Sequence, residues 1–258
     1  MRHIDSLKKF QIKIGVKLYR YRSFTPVLVI FIVLLLSRPQ SLLNNKYLTF
    51  LGFITAFTGE FIRIITIGFT GKKTSGRGRV IKAFSLNTDG LYSFTRNPLY
   101  LGNLFITLGL TIIYNSFLCY LIVLGFWAFQ YWYIIIAEED FLKKKFGQIY
   151  LDYLTKVPRL FPKFYKIPVF FLRGSSLRHF FPKDKNFNWR YVLEREYNSF
   201  FSWIMCAIIL EIYGDIYTEG FLSCQSEIIF WAVCLVFLMI LFSLFKAWKK
   251  GLIRIFEE

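Results

Sequence analysis

The chain has 258 residues, of which 55% are hydrophobic, 21% aromatic and only 19% charged, with a mean hydropathy of +0.43. Soluble domains carry about a quarter of their residues as charges and disordered chains are poor in hydrophobic residues, so disorder is excluded and a soluble enzyme disfavoured. The net charge is nevertheless +17, which leaves a membrane protein with a basic cytoplasmic side or a nucleic-acid binder with a large core.

Crossing the hydrocarbon core takes about 20 mainly apolar residues. Residues 1–25 carry seven Lys or Arg and read as a basic amphipathic segment on an anionic leaflet, with a solvated tail as the equal alternative. A first span covers 24–36 and closes at Ser37-Arg38-Pro39; no small-x-small cleavage site follows, so it reads as a retained span rather than a signal peptide. A second covers 47–69, interrupted by Glu60 and Arg63. The third, 98–114, and the fourth, 117–137, are separated only by Asn115-Ser116 and predict a tight helical hairpin. Beyond Glu138-Glu139, residues Leu142, Phe146, Ile149, Tyr150, Tyr153 and Val157 recur at helical spacing, predicting an amphipathic interfacial helix that ends near Pro158. Two further spans are expected at 199–213 and 228–245.

The basic residues test this reading, because Lys and Arg accumulate in cytoplasmic loops. Thirty of the 33 fall before the first span, between the second and third, after the fourth, or beyond the sixth. The expectation is an all-α polytopic membrane protein with about six transmembrane helices, an interfacial helix and both termini cytoplasmic. Residues 1–46 form the basic segment and first span, 47–165 a core containing the hairpin, and 166–258 a basic loop with a two-helix extension. A nucleic-acid footprint would instead concentrate on one soluble face, so no nucleic-acid partner is expected. Cys119, Cys206, Cys224 and Cys234 lack metal-like spacing, and His3 and His179 are too few for a histidine site, so no metal is expected. No nucleotide loop, dinucleotide fingerprint or internal repeat stands out.

Polar residues concentrate at 74–102 and 138–162. The hairpin brings Arg96, Asn97, Pro98 and Tyr100 level with Glu138 and Glu139 at one membrane face. Pro98 suits the first turn of a helix. Adjacent glutamates at a low-dielectric boundary repel unless a cation is near; screening by Lys143–Lys145 is the plain explanation, and a roofed site the sharper one.

The order Asp89-Gly90, Tyr92, Arg96-Asn97-Pro98-Leu99-Tyr100, Gly102-Asn103, then Glu138-Glu139, Phe146-Gly147, Tyr150, Tyr153 and Val157-Pro158-Arg159 resembles the isoprenylcysteine carboxyl methyltransferase family, part of a wider group that includes the phospholipid methyltransferases. The resemblance covers about 50–162 and has the style of bacterial members. It implies methyl transfer from S-adenosylmethionine by a multi-pass enzyme, here expected in a bacterial inner membrane. It also implies a cofactor site formed by Asn97, Pro98, Leu99, Tyr100, Gly102, Glu138 and Glu139, with Arg96 and Arg159 as catalytic residues. The family most often has His where this chain has Asn97, which cannot titrate near neutrality; a cofactor-positioning role survives, a proton-shuttling one does not.

Methyl transfer relies on positioning, and an oxyanion acceptor needs no general base whereas a protonated amine does. With both histidines far from the hairpin, a carboxylate or phosphate oxygen of a lipid or lipidated acceptor is expected, oriented by Arg96 or Arg159; Arg77 and Arg79 are more simply explained by topology. N-methylation of a phospholipid amine, and a non-enzymatic transporter or assembly protein with this fold, stay open, as does the oligomeric state. Glu60 with Arg63, and Glu211, are intramembrane charges and hence functional candidates, although a self-satisfied Glu60–Arg63 pair one turn apart is an even alternative. The 166–258 extension, with Arg173, Arg178, His179, Lys183, Lys185 and Trp189, either shapes an acceptor pocket or only packs.

Overall fold

A computed structural model describes residues 2–39, 45–70, 78–162 and 186–250. Arg77, Arg173, Arg178, His179, Lys183 and Lys185, candidates on sequence grounds, lie outside these residues. Among the described residues the chain is all-helical: α1 (Arg2–Tyr21), α2 (Thr25–Leu36), α3 (Asn45–Thr70), α4 (Pro98–Tyr114), α5 (Phe117–Phe146), α6 (Gln148–Lys156), α7 (Trp189–Glu219) and α8 (Gln225–Lys249), with a short 3-10 turn at Gly90–Ser93.

Among the described residues four helices, α3, α5, α7 and α8, are long and apolar enough to cross a membrane, and α1 with α2 makes up to five spans if the bent pair counts as one. The sequence pattern predicts six, and the difference lies in two short elements. Helix α2 has 12 residues and rises only about 18 Å; it meets α1 at an angle of 86°. Helix α4, at 17 residues, rises about 26 Å. The long apolar helices fit a multi-pass integral membrane protein.

The hairpin forms as its composition dictates. Pro98 occupies the first turn of α4, and Asn115 ends it in the left-handed conformation (φ 49°), its N–H bonded to the Thr111 carbonyl. Asn tolerates that conformation better than other side-chain-bearing residues. Ser116 is extended and α5 starts at once. Helix α5 then runs 30 residues, about 45 Å, and overshoots the roughly 30 Å hydrocarbon layer. Glu138 and Glu139 therefore sit within a continuous helix two turns before its end, not at a helix terminus as the apolar run suggests.

Helices α3 and α4 are antiparallel and nearly in backbone contact. A Cβ on Gly109 would lie 2.4 Å from the Gly52 carbonyl oxygen, and one on Gly59 2.4 Å from that of Gly102. Small residues permit such approach where no hydrophobic effect drives helices together. Helix α7 lies across this pair, burying Trp203, Ile204 and Ile208 against Ala56 and Ile106. Helix α8 has no buried residue and contributes Phe242 and Phe245 to rings on α7 at Phe201. On the other side α1 packs against α5, where a Cβ on Gly15 would meet the Tyr133 carbonyl oxygen at 2.1 Å.

The glycine register predicts that Gly109→Val, far from the polar end, costs about 1–3 kcal/mol by overpacking. Thermal unfolding in detergent micelles reads this as a lowered Tm, whereas Gly125→Ala, whose Cβ would meet nothing within 4 Å, leaves Tm unchanged.

Candidate functional site

At the end of the bundle where α4 begins, the chain before Pro98 is joined to the chain after α6. The Arg96 N–H donates to the Pro158 carbonyl (2.9 Å), and the Asn97 side-chain amide donates to the Arg159 carbonyl (2.7 Å). The Thr95 hydroxyl reaches that same oxygen at 3.4 Å. These bonds bring two arginines to one carboxylate. Arg159 grips Glu139 with Nε (3.0 Å) and Nη2 (2.8 Å), and Arg96 Nη1 lies 2.9 Å from Glu139 Oε1. The Glu139 side chain is 8% exposed, so the pair of charge-assisted contacts is shielded from water and correspondingly strong. Trp132 supports Arg159 from below, its ring centroid 5.1 Å from the guanidinium carbon.

Glu138, one residue earlier, is treated differently. It accepts a hydrogen bond from the Tyr100 hydroxyl (2.9 Å) and makes no ion pair within 4.0 Å among the described residues. Arg22, at the α1–α2 elbow, interacts with it electrostatically. Glu138, Glu139, Arg96 and Asn97 line one open pocket with Ser85, Asn87, Tyr92 and the α6 tyrosines. Arg96 Nε is buried and has no hydrogen-bond partner. The pocket thus sets a carboxylate outside any arginine salt bridge beside a guanidinium, a combination suited to a zwitterionic ligand.

Helix α6 roofs the pocket. Gly147, with φ 54°, breaks the helix so that α6 can fold back, and Tyr150, Tyr153 and Val157 bury against Leu86, Leu142 and Phe146. Burial pushes the Tyr150 phenol up to about 12, and burial raises Tyr92 and Tyr153 as well. All three stay neutral hydrogen-bonding groups at physiological pH; Tyr153 donates to the Tyr92 carbonyl at 2.6 Å.

The structure therefore gathers Arg96, Arg159, Asn97, Tyr100, Glu138 and Glu139 at one place. Pro98 is buried in the first turn of α4, Leu99 packs toward Ile67, Tyr191 and Val192, and Gly102 faces α3, where its Cβ would meet the Arg63 side chain at 2.6 Å. Arg79 is exposed, as is Trp189. Sequence reasoning passed over Arg22, hidden among seven N-terminal cations, and Asn87, in a loop without periodicity. Deeper in the bundle, Arg63 is held by Glu196, Glu60 takes the Trp203 indole N–H, and Thr49 donates to the buried Glu211. Among the described residues no cluster of metal-ligating side chains occurs.

Residues 47–149 match the model of the phospholipid methyltransferase family, the wider group indicated by the motif resemblance. No curated protein and no solved structure matches the chain. The matched segment runs from α3 into α6 and includes Arg96, Glu138 and Glu139; Arg159, α1, α2, α7 and α8 lie outside it. A membrane methyltransferase is what this match supports.

The unequal pairing of the glutamates gives a stability test. Glu139→Ala leaves the largely buried Arg96 and the partly exposed Arg159 without their carboxylate and is expected to cost about 2–3 kcal/mol, whereas Glu138→Gln keeps its acceptor for Tyr100 and stays within about 1 kcal/mol of the parent. Equal Tm losses for the two variants would refute the division of roles.

Proposed function

We propose that this chain, whose core carries the phospholipid methyltransferase match, transfers a methyl group from S-adenosylmethionine to an anionic oxygen of a lipid or lipidated acceptor at the basic face of the membrane. The carrying observation is a pair of spaces of opposite character linked through two tyrosines. One is the polar pocket of Glu138 and Arg96. The other is a partly open cavity in the bundle, walled by apolar residues such as Val29, Val33, Leu110 and Phe126, with Leu210 from the extension. Tyr131 lines that cavity, and its ring lies 4.7 Å from the ring of Tyr100, whose hydroxyl holds Glu138. Two tyrosines thus stand between the spaces.

The polar pocket fits the donor. Glu138 would face its cationic groups, the Arg96 guanidinium would receive its carboxylate, and Asn97 would hold the Arg159 segment in register. When bound, the donor supplies an electrophilic methyl group on a sulfonium. The chain's own contribution is positional: the α6 tyrosines exclude water, the Glu139 clamp holds Arg96 at the pocket wall, and the apolar cavity admits the hydrocarbon part of an acceptor from the bilayer. Arg96 would also orient an acceptor oxyanion. A second reading, N-methylation of a phospholipid amine, is favoured by Glu138 itself, since a carboxylate outside any salt bridge can take the proton of an ammonium acceptor.

Calorimetry of the purified protein with S-adenosylmethionine tests the donor. Binding is expected, weakened at least tenfold in Glu138→Gln, about 1.4 kcal/mol; absence of wild-type binding would refute the enzyme reading. Lipid mass spectra from cells with and without the active protein test the acceptor. A +14 Da species on an acidic lipid is expected, and a change confined to phosphatidylethanolamine would replace the oxyanion reading with the amine one.

A further inference from the structure

A chain of hydrogen bonds inside the bundle leads from the C-terminal extension to the tyrosines between the two spaces. Glu196 on α7 accepts from Arg63 Nε (2.9 Å) and Nη2 (2.5 Å), with the two side chains 5% and 12% exposed. Arg63 Nη1 donates to Asn103 Oδ1, and Asn103 Nδ2 donates to the Tyr131 hydroxyl at 2.8 Å. The direction of this chain is dictated by its start. A guanidinium has donors only, so the Asn103 amide must turn its oxygen to Arg63 and its NH₂ to Tyr131. The Tyr131 oxygen is thereby an acceptor from Asn103, and its own proton is left to point elsewhere. Among the described residues nothing accepts that proton, and Tyr131 lines the apolar cavity beside Tyr100.

We propose that the Glu196–Arg63 ion pair acts as a positioning device for methyl transfer, fixing the polarity of the Arg63–Asn103–Tyr131 chain so that Tyr131 presents a hydroxyl donor to an oxygen of the acceptor at the cavity wall nearest Tyr100. The proposal rests on the methyltransferase reading and extends it to residues outside the matched segment, since Glu196 belongs to α7. The extension then does more than pack: without its carboxylate the guanidinium loses its anchor, the amide can turn over, and Tyr131 would become an acceptor at that wall. Gly102 serves the same arrangement, because a Cβ there would displace the Arg63 side chain.

Three variants of the full-length protein in proteoliposomes test this, with methyl-tritiated S-adenosylmethionine as donor and total membrane lipid extract as acceptor. Asn103→Asp presents oxygens to both neighbours and reverses the polarity without changing volume. Tyr131→Phe removes the donor. The double variant Arg63→Met/Glu196→Leu replaces the ion pair by apolar bulk, which folded proteins commonly tolerate. Each is expected to bind S-adenosylhomocysteine within about twofold of the parent and to lose turnover by about a hundredfold, the order seen when a remote change misplaces a reacting group. Wild-type turnover in Asn103→Asp or in the double variant would overturn the proposal, because a merely structural ion pair is replaced well by apolar packing. Should the parent itself neither bind S-adenosylhomocysteine nor transfer methyl groups, the methyltransferase reading fails, and with it the catalytic use of the chain. The polarity is still decided by the ¹⁹F resonance of 3-fluorotyrosine at position 131: a shift in Asn103→Asp supports it, and an unchanged resonance overturns it.

Discussion

The site depends on one carboxylate shared by two guanidinium groups. Glu139 sits on α5, Arg96 immediately before α4, and Arg159 after α6, so a single buried ionic cluster joins three stretches of chain that ordinary packing would leave independent. At low dielectric such a cluster is favourable only when every partner is present. The backbone bonds between 95–97 and 158–159 and the tryptophan beneath Arg159 supply the geometry that makes it so. The cluster occupies Glu139 with two arginines, while the neighbouring Glu138 accepts from the Tyr100 hydroxyl. Two adjacent and chemically identical residues thereby acquire different partners from the faces of α5 they occupy.

The hydrophobic layer imposes a second constraint, the satisfaction of buried polar groups. Arg63, Glu196, Asn103, Glu60 and Trp203 are placed where water is scarce, and each finds a partner on another helix. The polar groups inside the bundle thus tie α7 to α3 and α4 more specifically than apolar contact would. Helix α8 is the counterexample: strongly apolar and without a buried residue, it suits lipid on most of its surface and touches the bundle through a stripe including Trp231, Cys234, Leu235 and Leu238.

Much of this arrangement was legible in the sequence. The hairpin could be read because two apolar runs flank Asn115-Ser116, and the folded-back helix because Tyr150, Tyr153 and Val157 keep helical spacing after Glu138-Glu139. The gathering of Arg96, Asn97 and Tyr100 with the glutamates followed from antiparallel geometry alone. What remained hidden is non-local or steric. Arg63 and Glu196 are 133 positions apart, and no periodicity relates them; a partner for Arg63 was sought one turn away, at Glu60. The sharp elbow between α1 and α2, and with it the reduced number of long spans, depends on how α1 lies against α5. The different roles of Glu138 and Glu139 turn on about 100° of helix rotation, which an apolar pattern does not resolve.

The paired glycines of α3 and α4 have a mechanical consequence. Gly52 meets Gly109 and Gly59 meets Gly102, seven residues apart on each helix, so the two backbones interlock like a rack and pinion with two engaged teeth. Sliding by one turn would bring Cβ-bearing residues into both gaps at once, and the pair must move as one body or not at all. Any breathing that lets a bulky amphiphile into the bundle therefore falls to the elements outside this pair. The short α2, bent sharply from α1 and forming one wall of the apolar cavity, is such an element: its displacement disturbs neither the glycine register nor the Glu139 cluster.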